Sequence, residues 1–271
     1  MSALVLGCYD EQALTRLFCE EGVIAEIRGK GFENPRVQVT ADTAIPHMRM
    51  YGEKHGASHL LLDTCLTDAV IAPEFFLARG FEVPRPISVA VIHWARAQDP
   101  TARFADDRPR LPLQEHPGLG ILRRVFRVGA RLANQLGKDG LANMPKFPHD
   151  ALIFFRSLLF LFADPVEQGR LEALWRDLDY LGLANVSLAV AAGAACDERG
   201  RPVHWLPGFQ VYPLSAAVSA YFHSDKYTQA RSAARQAARY SVDLASAGEM
   251  LGAFDRSTRE TEARHTVGAL S

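Results

Sequence analysis

The stretch LQEHPGLGILRRVFRVGARLANQLGKDGLANMP, residues 113–145, decides the fold. Gly118 and Gly120 stand directly before an apolar stripe of Ile121, Leu122, Val125, Phe126, Leu132 and Leu136. That spacing predicts a helix, and Gly137 is a suitable C-terminal stop because glycine takes left-handed backbone angles readily. The first-turn N–H groups of a helix lack partners, and the helix dipole favours negative charge there. Two glycines leave the backbone bare beside those groups, so Gly118-Leu119-Gly120 can receive an anion, with Arg123 and Arg124 adding charge. The plain alternative is a Pro-Gly turn feeding a packed helix, with Arg123, Arg127 and Arg131 on a solvated face.

Outward from the stretch, residues 85–98 (RPISVAVIHWARAQ) are rich in β-branched residues and read as a strand. Residues 47–68 read as a hairpin about Lys54-His55-Gly56, residues 35–41 as extended, and residues 10–27 as one or two helices. Residues 73–82 read as a short helix closed by Gly80. On the other side, residues 139–145 read as a buried strand, 149–159 as a helix, 160–165 as a strand and 166–182 as an amphipathic helix. Residues 183–213 suggest a hairpin or strand pair about Asp197-Glu198-Arg199-Gly200. From Ser215 the chain turns helical, and the polar tail from Asp255 is expected to be disordered. The expected fold is α/β (α+β): a central mixed, mostly antiparallel sheet flanked by helices. Residues 1–165 form the core and residues 166–271 a helical extension.

Composition narrows the function classes. Thirty basic residues against thirty-one acidic ones give a net charge of −1, which speaks against nucleic-acid partners, whose binding draws on phosphate neutralisation. Cys8, Cys19, Cys65 and Cys196 are scattered and form no CxxC pair, so neither a disulfide scaffold nor a zinc knuckle is expected. The N-terminus turns acidic after nine residues and the longest apolar runs fall short of a spanning helix, so a cytoplasmic protein is expected. No GxSxG elbow and no Walker loop occurs.

The element order, with the loop Glu115-His116-Pro117-Gly118-Leu119-Gly120, resembles the GNAT-type acyltransferase superfamily. In that family a Gln/Arg-x-x-Gly-x-Gly/Ala loop follows the central strand and holds the coenzyme A pyrophosphate. Its later helical motif is similar to the stretch from Ala151 through Phe154 and Phe155 to Leu159 and Phe160. The similarity spans roughly residues 40–165. It implies an acyltransferase that uses acyl-coenzyme A, or an acyl carrier protein with its phosphopantetheine thioester, and an amine acceptor on a small molecule or a protein. The pyrophosphate or phosphopantetheine would lie on Gly118, Leu119 and Gly120, with Arg123 and Arg124 assisting. Three departures stand out: Glu115 replaces Gln or Arg, Phe155 replaces the tyrosine that often protonates the leaving thiolate, and the loop before the glycines is long.

Acyl transfer to an amine needs a base near neutral pKa, and histidine serves with little tuning. His93 on the best strand and His116 in the glycine loop are the candidates, with Glu115 a third if burial raises its pKa. The structural alternatives make His93 a satisfied histidine in the sheet and His116 a loop residue contacting its own backbone. His55 and His59 have helical ligand spacing, but Gly56 argues against a helix there, and no metal is expected. A non-catalytic relative of the same scaffold is the second reading, for which Glu115 and Phe155 speak. A metal-dependent enzyme built on the scattered histidines is the third.

Overall fold

The computed structural model describes residues 3–40, 45–105 and 109–243. The polar tail from Asp255 lies outside them. Helix α1 (Glu11–Glu20) starts at Asp10, whose carboxylate accepts the Ala13 N–H at 2.8 Å, and α2 (Val23–Gly29) follows. Strands β1 (Glu33–Thr40), β2 (His47–Lys54) and β3 (Ala57–Ile71) then run antiparallel. His55 and Gly56, both at positive φ, turn the β2–β3 hairpin where the sequence placed it. The short helix α3 (Pro73–Leu77) leads to β4 (Ile87–Ala97), antiparallel to β3.

Helix α4 (Leu122–Gln135) crosses over to β5 (Gly140–Asn143), which lies parallel to β4. Helix α5 (Pro148–Leu158), strand β6 (Leu161–Phe162), helices α6 (Pro165–Leu178) and α7 (Gly182–Ala191), and strand β7 (Ala195–Asp197) come next. The chain continues through β8 (Gln210–Pro213), α8 (Ala216–His223), α9 (Asp225–Ala237) and β9 (Tyr240–Val242). The seven-stranded sheet has the order β1-β2-β3-β4-β5-β8-β6, antiparallel except at β4–β5. This is the mixed, mostly antiparallel, helix-flanked sheet that the sequence predicts, and β8, from beyond residue 165, is one of its strands.

The expected hairpin or strand pair at residues 183–213 holds only about residues 197–200, where Cys196 bridges Pro202 and Asp197 donates its N–H to Arg201 O at 2.9 Å. The first part of that span is α7, and β7 pairs with β9 rather than with β8. Alanine is the best helix former, and a helix buried on several sides shows no clean polar face, so its pattern passes for a buried strand.

Alternation along the central strands assigns the cores. Ala90 and Leu141 face α1, α2 and α4, packing with Leu14, Phe18, Val128 and Leu132. Val89, Val91 and Ala142 face the other way, toward α8 and α9. There Tyr221 and Tyr227 donate their hydroxyls to the Ala163 and Phe162 carbonyls at 2.6 Å. Burial pushes both phenols well above their ordinary pKa, so they stay donors. On α4, Arg124, Arg127 and Arg131 reach Glu26, Glu21 and Glu20 at 3.3, 2.8 and 2.6 Å. Of the row considered as a solvated face, Arg127 and Arg131 thus join Arg124 in the seam that clamps α4 to α1 and α2, and Arg123 stays exposed.

Candidate active site

Strand β4 pairs with β3 from Ile87 to Ala97 but with β5 only from Val89 to Ile92. Beyond the Ile92–Asn143 pair the two parallel strands part. The burial of β4 changes at that point: Val89, Ala90 and Val91 are buried, and His93, Trp94 and Ala95 are exposed. The β3–β4 register also slips there, since Cys65 opposes Trp94 and Leu66 opposes Ile92. His93 is the extra residue of that bulge, a feature that re-aims side chains and loosens pairing. Between the parted strands lies a cavity of about 380 Å³.

The glycine loop is stitched to the end of β4. Leu119 donates its N–H to Ala97 O at 3.1 Å, Asp99 to Pro117 O at 2.7 Å, and His116 to the Gln98 side chain at 3.1 Å. Leu119 therefore anchors the loop, with its side chain in the core, and its N–H is spent. Gly120, at φ 72°, turns the chain into α4 through a conformation that side chains disfavour. The N–H groups of Gly120, Ile121, Leu122 and Arg123 have no hydrogen-bond partner among the described residues. Gly118, Gly120, Ile121 and Leu122 line the cavity.

The charged residues are sorted by their partners. Arg124 is drawn to Glu26 and faces α2. Arg123 is exposed, with no ion-pair partner among the described residues, so it is the cation available at the start of α4. The Glu115 carboxylate is held by Arg96 at 2.7 Å. It lines, with His116, a second and more polar cavity of about 240 Å³. His59, Asp63, Arg96 and Gln98 also line that chamber, and Arg96 and Gln98 border the first cavity too. His93 lines the first cavity and meets Thr67 Oγ1 at 2.6 Å. It is thus a sheet histidine with a satisfied ring nitrogen, as the structural alternative has it, but an exposed one.

Three features escaped sequence reasoning. Asn143, the last residue of β5, is 4% exposed and lines the first cavity. Neither its Oδ1 nor its Nδ2 has a partner among the described residues. Buried amides are nearly always satisfied, so this one is left to bond with water or a ligand in the cleft. A polar residue ending a short apolar strand was its only signal. The second is His149, buried at the start of α5, whose Nδ1 meets Ser187 Oγ at 2.8 Å and whose Nε2 meets Asp150 at 3.2 Å. The set mimics a nucleophilic triad, but Ser187 is fully buried on α7 and no substrate reaches it. The third is the placement of the long loop before the glycines: Leu111, Pro112, Leu113 and Gln114 form a wall of the first cavity.

Phe154 borders the first cavity, whereas Phe155 packs into the cluster of α5, α6 and α7. His59 contacts the Lys54 carbonyl beside the β2–β3 turn, and His55 stands on the turn itself. Among the described residues no group of three His, Cys, Asp or Glu could hold a metal, and no helix is long and apolar enough to cross a membrane. The first cavity fits the arm of a pantetheine thioester: free N–H groups at a helix start for phosphate, an unpaired amide for the arm's own amides, and apolar walls between them.

No family model matches the sequence, and no curated protein matches it. Among solved structures, the chain is similar to AtaT complexed with acetyl-methionyl-tRNAfMet, at 14% identity and TM-score 0.29 over 58% of this chain and 80% of that one. It is also similar to a mutant AtaT toxin bound to the C-terminus of the antitoxin AtaR, at 14% and 0.31 over 83% and 94%. A third is AtaTR bound with AcCoA, at 14% and 0.28 over 58% and 79%. At these scores the likeness assigns neither a family nor a chemistry to this chain.

Proposed function

We propose that the chain is an acyltransferase that moves an acyl group from a coenzyme A or carrier-protein thioester to an amine. The observation that carries this reading is the cleft between β4 and β5, with free N–H groups at the glycine loop and the unpaired Asn143 amide where the strands part. The backbone of Gly120 to Leu122 receives phosphate, Leu119 fixes the loop to Ala97, and Arg123 supplies the free charge. Arg124 stiffens the start of α4 through Glu26. Asn143 receives an amide of the arm.

The acceptor enters by the polar chamber, where His116 takes the proton from its nitrogen as that nitrogen attacks the thioester carbonyl. Glu115 orients that chamber rather than acting as the base, because its carboxylate is already engaged by the Arg96 guanidinium at 2.7 Å. His93 is the second candidate base, from the cleft side. The leaving group departs as a thiolate and takes a proton from water. A thiol pKa of roughly 8.5 makes that tolerable without the family's tyrosine.

The test is a melting scan with coenzyme A and acetyl-coenzyme A, followed by thiol-release assays over an amine panel that includes a polyamine, a peptide and an aminoacyl-tRNA. Binding should raise the melting temperature, since the ligand engages only the folded state. His116→Ala should leave that shift in place and lower turnover by about 10²–10⁴-fold. A shift with no turnover on any amine would favour the non-catalytic reading, and no shift at all would remove both.

A further inference from the structure

Leu113 breaks two rules at once. Its backbone lies at φ 60°, and its side chain is 56% exposed. The turn that holds it is closed on itself. Gln114 donates its N–H to Leu111 O at 3.1 Å, Leu111 donates to the Gln114 side chain at 3.1 Å, and Arg110 donates to Gln114 O. Proline second and positive φ third is the pattern of a type II turn, whose third position favours glycine. A leucine there accepts backbone strain in order to present an apolar side chain, and it presents it into the cleft.

The opposite walls answer it. Met144 and Trp94 are 49% and 42% exposed, and both line the same cleft, as do Phe147, Ile153 and Phe154. An acetyl group offers these side chains one methyl. We infer that the donor carries an extended apolar acyl chain, and that Leu113 with Met144 sets its preferred length. This rests on the acyltransferase reading.

The acyl group, rather than the acceptor, is the apolar occupant. An amine is charged in water until it loses its proton, and the polar groups suited to meet it are Glu115, His59 and His116. They line the other chamber, across Arg96 and Gln98.

The experiment is isothermal titration of the full chain with coenzyme A, acetyl-coenzyme A and octanoyl-coenzyme A, in the wild type, Leu113→Gly and Met144→Ala. Each buried methylene is worth about a fourfold gain in affinity. Octanoyl-coenzyme A should therefore bind at least about tenfold tighter than acetyl-coenzyme A. Leu113→Gly should cut that ratio at least about threefold while leaving the melting temperature equal or higher, since glycine suits the turn. Met144→Ala should cut the ratio without touching the turn, so the test survives a rearrangement of the loop. If coenzyme A and acetyl-coenzyme A bind but the octanoyl ester binds no tighter, the acyl assignment is overturned and the reaction class stands. An unchanged ratio in both variants overturns the assignment in the same way. If none of the three ligands binds, the reaction class itself falls.

Discussion

Replacing Asn143 by leucine should make the protein more stable and the cleft useless. The two side chains share the same branching and number of heavy atoms, and the site is 4% exposed with neither polar atom partnered among the described residues. Burying an unsatisfied polar group costs about 1–3 kcal/mol. Water can reach the residue from the open end of the cleft, so the lower half of that range applies, and Asn143→Leu should raise unfolding stability by roughly 1–2 kcal/mol. A bound pantetheine arm loses up to two hydrogen bonds, each worth about 0.5–1.5 kcal/mol net. The thioester dissociation constant should then rise between about fivefold and a hundredfold. Urea melts of both proteins, beside titrations with acetyl-coenzyme A, read the two effects separately. A destabilised variant would mean that the amide serves the fold. A more stable variant with unchanged affinity would mean that the ligand path avoids the end of β5. Either result refutes the role given to Asn143.

Further outcomes follow from the same geometry. Gly120→Val should weaken coenzyme A binding at least tenfold, about 1.4 kcal/mol, by forcing a branched residue to φ 72° at the anion site. Unchanged binding by a folded variant would separate the loop from the ligand. Asp139 accepts both Arg85 Nη atoms at 2.7 and 2.6 Å and the Ser88 N–H at 3.0 Å. The Arg85 guanidinium foremost holds its carboxyl down at about 2. A depressed folded-state pKa gives stability that is present above the unfolded value of about 3.9 and lost as pH falls toward 2. Because Arg85 is half-exposed, Asp139→Asn should cost about 1–2 kcal/mol at pH 7 and almost nothing near pH 2 in denaturant melts. Gly169 on α6 leaves no room for a β-carbon, which would strike Arg231 O and come within 2.8 Å of Ala234 Cβ on α9. Gly169→Ala should therefore lower stability by about 2 kcal/mol or more in the same melts, and an unaffected midpoint would show that the helices can slide apart.

Local chemistry made the first half of the chain legible. The hairpin at Lys54-His55-Gly56, the strand to Trp94 and the glycine stop of α4 follow from residues a few positions apart, and all three stand where expected. Glycine before a helix suggested an anion site, and among the described residues the N–H groups of Gly120 to Arg123 have no partner, whereas those of His116 and Leu119 are bonded. Long-range pairing was not legible. Nothing in the sequence near Arg124 tells that Glu26, about a hundred positions away, will claim its charge, or that Arg96 will turn Glu115 into another chamber. The bulge at His93 is a matter of register between two strands, and neither strand shows it alone. Asn143 was passed over for a related reason: a polar residue ending a strand is ordinary until its neighbours are seen to leave it unpaired.

The place of β8 bears on how the molecule is made. Strand β6 is complete at Phe162, yet its hydrogen-bonding neighbour is β8, and β8 is also the outer partner of β5. On the ribosome, both strands wait while α6, α7 and β7 are synthesised. During that interval β5 presents a naked backbone edge of four buried apolar or small residues, Gly140 to Asn143, the kind of edge that recruits strands from other chains. The sheet closes only when Gln210 to Pro213 emerge, a late and non-local step of the sort that slows folding. Sensitivity to aggregation should therefore peak in nascent chains that end between β6 and β8.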